Sequence, residues 1–200
     1  SSRCVNGHYI CDRCHRMDAE DLIESTTIRS TSDNPFLIAE KLLESPAIKM
    51  HGPEHHFLVP AVLIAALYNH TRQQDRKERC IKAARRRAEM AKGGFCSMMG
   101  DCGAAVGTAI FVGVITGATP LSQEEWRLSN LVTARTLEEI ALHGGPRCCK
   151  LNTFLALRSA VRFLDQEMHI RLPMPETIRC RFSNQNADCL KEKCPFYPGP

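Results

Sequence analysis

Apolar residues recur every three or four positions along most of the chain, the pattern of helices with one face turned inward. A helix is predicted over Ala19–Ile28. A second starts at Asn34-Pro35, runs through Leu37, Ile38, Lys41 and Leu42, and stops near Ser45-Pro46, because a residue ahead of proline avoids helical geometry. From Phe57 to His70 the pattern changes. The run from Val59 to Tyr68 is apolar on every side, which predicts a helix buried all round. Pro53 suits its first turn, whereas Pro60 is tolerable only near the start or at a kink.

Asp75–Lys92 reads as a solvated helix with one basic face, ended by Gly93-Gly94. Gly103–Gly113 predicts a second buried helix, in which Gly103, Ala104 and Gly107 permit close packing; a buried strand over Thr108–Ile115 is the alternative. A long helix begins at Thr119-Pro120-Leu121-Ser122, with Ser122 and Glu125 as a capping box, and stops at Gly144-Gly145. Pro146 opens the last helix, which carries Phe154, Leu155, Leu157, Val161 and Leu164. Beyond Leu172 a proline-rich segment ends in Cys180, Cys189 and Cys194.

The chain has 200 residues, 44% of them hydrophobic and 24% charged, which is globular composition and excludes disorder. Its longest apolar run, near Gly103–Ile115, is too short and too glycine-interrupted for a bilayer span. No basic-then-apolar leader is visible. The formal charge of +4 rests on one basic stretch from Arg72 to Arg87, where Asp75, Glu78 and Glu89 supply counter-charges. A solvated face is the stronger reading there, and nucleic acid is not an expected partner.

Eleven cysteines change the picture. Several are close or adjacent, the chain can build its own core, and adjacent Cys148-Cys149 cannot easily bond to each other. Metal-bound thiolates in a reducing cytoplasm therefore fit better than disulfides. The N-terminal knot places Cys4, Cys11 and Cys14 so that a Cys-x2-Cys turn can wrap one ion, with the fourth ligand open among His8, His15, an upstream cysteine or one from the tail. In the core, Cys96 and Cys102 precede a helix, and Cys148 and Cys149 stand in the first turn of another. Helix starts favour thiolates, so these four are expected to hold a core cluster. Cys180, Cys189 and Cys194-Pro195 are candidates for a second, terminal site. Cys80 reads as a buried small hydrophobe.

His51-Gly52-Pro53-Glu54-His55-His56 is the best candidate for acid–base work, with Glu54, His55 and His56 as catalytic residues and His51 as a mixed metal ligand. His55 and His56 point about 100° apart on a helix and are not expected to share an ion.

The segments Gly7–His15, His51–His56, Gly93-Gly94 with Cys96, Cys102–Ala105, Thr119–Ser122 and Gly144–Lys150 resemble, in order, the DUF5714 family. The Cys102-Gly-Ala-Ala-x-Gly107 stretch is also similar to the C-GCAxxG-C-C family, although its Asp101-Cys102-Gly103-Ala104 departs from that pattern's Gly-Cys-Ala order. The DUF5714 resemblance implies an anaerobic cytoplasm and a methyltransferase-like or radical-SAM partner, and it brings no reaction with it. The expected fold is mainly α, a single helical core over residues 18–172 with a cysteine/histidine knot over 1–17 and a cysteine-rich tail over 173–200. The expected function is binding an iron–sulfur cluster, zinc or both, for electron transfer or sulfur and metal delivery; a thiolate-dependent enzyme is the alternative.

Overall fold

The all-round apolar run becomes the axis of the molecule. In a computed structural model, which describes Ser2–Arg3, Tyr9–Ile10 and residues 18–199, that run lies in one of eight α-helices among the described residues. They are α1 (Ala19–Arg29), α2 (Pro35–Leu43), α3 (Glu54–His70), α4 (Gln74–Ala88), a single turn α5 (Phe95–Met98), α6 (Gly103–Thr116), α7 (Glu124–His143) and α8 (Cys149–Met168). Ser2–Arg3 (β1) and Tyr9–Ile10 (β2) form a short antiparallel pair. The fold is thus mainly α, and residues 103–116 are helix rather than strand. Cys4, Cys11, Cys14, His8 and His15 lie outside the described residues.

Helix α3 packs against α1, α2, α4, α6 and α8. Phe57 through Ala66 are almost wholly buried, which a helix with no polar stripe requires. The closest approach is to α6. Pro60 lacks an N–H, so the His56 carbonyl loses its partner one turn back. Gly107 lies over this spot. A Cβ at position 107 would stand 2.9 Å from Pro60 Cδ and 3.2 Å from the His56 carbonyl oxygen. Glycine lets the α6 backbone settle there.

The remaining helices close around this pair. Thr108, Thr136 and Ser159 carry a buried hydroxyl chain across α6, α7 and α8, with Thr136 Oγ1 donating to Ser159 Oγ at 2.9 Å. Part of the basic face of α4 is matched within the fold. Lys77 is buried and donates to the Ser30 carbonyl and Asn69 Oδ1, each at 2.9 Å. Arg85 meets Asp21 at 2.7 Å and Glu24 at 2.9 Å.

Two helix starts differ from expectation. Helix α7 begins at Glu124 with Gln123 as N-cap, so Ser122 is not a capping residue; its hydroxyl instead accepts from the Thr119 N–H at 3.1 Å and holds the preceding turn. Helix α8 begins at Cys149 with Cys148 as its N-cap, so Pro146 lies in the loop before the helix rather than in its first turn.

Replacing Gly107 with alanine forces a methyl against Pro60 and Val59. We expect G107A to lose about 1 to 3 kcal/mol in chemical denaturation. Gly93 has nothing within 4 Å of its missing Cβ, so G93A is the control and stays close to wild type. Equal stability of the two variants would remove the close contact from the account.

Candidate functional site

Three chain segments deliver the cysteines and histidines to one end of the bundle. The loop before α3 carries His51, the first turn of α3 carries His55 and His56, α5 carries Cys96, and the starts of α6 and α8 carry Cys102 and Cys149. Together with Arg147 and Asn152 they line one open cavity of about 350 Å³.

The surroundings of the donors differ. His56 Nδ1 is 2.9 Å from the Ala91 carbonyl oxygen, which only accepts. Nδ1 therefore carries a proton, which leaves Nε2 as the ring's ligating nitrogen. The ring lies on Gly103, where a Cβ would overlap it. Cys102 is the N-cap of α6, and its sulfur accepts from Asn152 Nδ2 at 3.3 Å. Arg147 Nη1 approaches Cys96 Sγ at 3.9 Å. His51 Nδ1 is buried with no hydrogen-bond partner.

Helix starts were expected to lower the thiol pKa values. For Cys148 and Cys149 the opposite holds: burial pushes both thiols up. At Cys149 the Gly52 N–H and Arg147 oppose this, and neighbouring Cys102 and Cys148 reinforce it. Desolvation outweighs the helix end.

Glu54 and His55 serve the fold. The Glu54 carboxylate is buried and accepts from the Lys49 N–H at 2.8 Å, which closes the loop bearing His51. His55 reaches the Lys49 carbonyl through Nε2 at 3.0 Å and the Thr153 hydroxyl through Nδ1 at 2.9 Å. Burial lowers its pKa to about 4, so the ring is neutral at physiological pH. Both are anchored by groups that tie the loop and α8 to α3.

Cys148 does not join this cavity. It lines a second, smaller pocket with Cys180, Cys189 and Cys194 from the tail. The four proposed core cysteines are thus divided between two places, because Cys148 is the N-cap of α8 and Cys149 its first residue. All eight described cysteines are free of disulfides. Cys80 is buried in the core beside the Tyr68 hydroxyl at 3.4 Å, a packing position. Among the described residues no three or more His, Cys, Asp or Glu side chains are placed ready to hold an ion, and no helix is long and apolar enough to cross a membrane.

Fold and site define a class: a single helical domain with a cysteine- and histidine-lined cavity where helix starts converge. The family model of DUF5714, a family of unknown function, matches residues 23–197, and the chain belongs to that family. No curated protein and no solved structure matches it.

The His56–Gly103 contact is open to a double-mutant cycle. Gly103→Ala should lower stability by about 1 to 3 kcal/mol, because the imidazole must move off its Ala91 bond. In a His56→Ala background the same change should cost much less. Strictly additive losses in thermal or urea unfolding would show that the ring does not rest on Gly103.

Proposed function

We propose that the chain is a metal-centre protein whose working site is the open cavity, with Cys96, Cys102, Cys149 and the bare Nε2 of His56 as its donor set. The observation that carries this is one cavity lined by three thiols and three imidazoles, His55 among them already bonded within the fold, from segments far apart in sequence. The donors suit the role. A ligating histidine usually gives its other ring N–H to a carbonyl, as His56 does to Ala91. The sulfurs receive N–H groups from Asn152, Arg147 and Gly52, which favour the thiolate once an ion displaces the proton. About 350 Å³ is far more room than one ion needs, which supports an iron–sulfur cluster over a lone zinc. The cluster would supply electron transfer, or sulfur and metal delivery, to a methyltransferase-like or radical-SAM partner under anaerobic conditions.

A second reading, an enzyme, draws on His51. Its buried Nδ1 has no partner in the protein, and with Arg147 and Asn152 it offers polar contacts to a small bound molecule. On that reading His56 moves protons and Cys149 or an open iron position binds substrate; Glu54 and His55, already bonded, hold the loop.

Protein isolated without oxygen should be brown and contain iron with acid-labile sulfide. Cys102→Ser and Cys149→Ser should each lose most of both. Colourless wild-type protein lacking iron and sulfide after anaerobic reconstitution sinks the proposal.

A further inference from the structure

We infer that Cys148, Cys180, Cys189 and Cys194 form a separate site for a single thiophilic divalent ion, zinc in class, which fastens the C-terminal tail to the start of α8. This does not rest on the reading of the open cavity.

The tail after α8 has little regular structure: only two short 3₁₀ turns, Ser183–Gln185 and Lys191–Lys193. It is nonetheless folded back on the core. Phe182 and Phe196 are buried, and Phe196 meets Phe154 edge to face at 5.7 Å between ring centres. The Cys180 N–H donates to the Phe196 carbonyl at 2.7 Å, which pairs the two ends of the tail loop. Its three cysteines meet Cys148 in a pocket otherwise lined mainly by Met50, Leu151, Phe154, Phe182, Leu190 and Phe196. Cysteine used as filler sits singly, as Cys80 does. Four thiols from four points of the chain in one apolar pocket are a ligand set.

The backbone around the sulfurs is arranged for thiolate. Leu151 N–H points at Cys148 Sγ at 3.4 Å, Phe182 N–H at Cys180 Sγ at 3.3 Å, and Lys191 N–H at Cys189 Sγ at 3.4 Å. The Phe196 N–H serves Cys194. In three of the four the donor lies two residues after its cysteine, the tight turn that wraps one ion. Lys191 adopts φ 48° to make its turn.

Charge and size agree. Lys150 is buried, donates to the Leu43 carbonyl at 2.6 Å and stands 3.8 Å from the centre of the Phe182 ring. It has no hydrogen-bonded carboxylate. Four thiolates on a divalent ion carry two net negative charges, and this ammonium lies beside them. The space open to a water-sized sphere there is about 20 Å³, room for one small ion. Among the described residues no group already stands closed around an ion, so binding requires the four thiols to draw together. Each ligating thiol releases its proton to solvent as its sulfur binds.

The test uses the full chain, reduced, with zinc or with a chelator, and maps alkylated cysteines by mass spectrometry. Zinc should protect Cys148, Cys180, Cys189 and Cys194 together. It should also slow trypsin cleavage after Arg179, Arg181, Lys191 and Lys193 at least tenfold. Cobalt should give the charge-transfer spectrum of a tetrahedral four-sulfur site, lost in C180S and in C189S but kept in C102S and C149S. Independent alkylation of the four in zinc-loaded wild-type protein overturns the inference. So does protection confined to Cys96, Cys102 and Cys149. The wild-type readouts stand even if a serine variant fails to fold. Loss of iron from the open cavity leaves them unchanged.

Discussion

Everything at the working end of this molecule depends on how closely α6 can lie on α3. Proline at position 60 frees the His56 carbonyl, and glycine at 107 lets the neighbouring helix come down on that place. One turn earlier, Gly103 does the same for the His56 ring. Had α6 been held away by a methyl at either point, its N-cap, Cys102, would not stand where it faces Cys149. Two glycines four residues apart therefore set a site whose chemistry is supplied by other residues. The interior at this contact is close-packed, so the geometry is transmitted without slack.

Much of this was legible in the sequence. The all-round apolar run identifies α3 as the central helix, and its periodicity places α1, α2, α4 and α6 within a few residues of their observed bounds. The two errors at helix starts share a cause. A Ser-x-x-Glu pattern and a Pro at a first turn are permissive signals, satisfied equally well by a turn that precedes a helix. At Ser122 the hydroxyl is captured by Thr119, two residues before the helix begins.

The division of the cysteines was not legible, although that of the neighbouring histidines was. Adjacent residues on a helix point about 100° apart. That rule separates His55 from His56, which indeed bond to Lys49 and Thr153 on one side and Ala91 on the other. Cys148 and Cys149 diverge for a different reason: Cys148 is the extended N-cap of α8 and Cys149 its first helical residue, and they go to different pockets. What no pattern along the chain reveals is where the tail returns. Its path is decided by Phe182 and Phe196 finding room beside Phe154 and Lys150, a tertiary fact.

The same separation gives the two pockets different characters. One is open, polar on one wall, and bounded by a histidine nitrogen that lacks a partner. The other is small and apolar, with backbone N–H groups aimed at each sulfur. A site that must admit a partner or substrate needs an open position and groups left unsatisfied by the protein. A site that only holds chain together needs neither, and is better sealed. Because Cys148 and Cys149 are consecutive at the start of α8, any ion that fixes the first also fixes the backbone that presents the second. On the proposed tail site, anchoring would therefore act on the open cavity through the one peptide bond between Cys148 and Cys149.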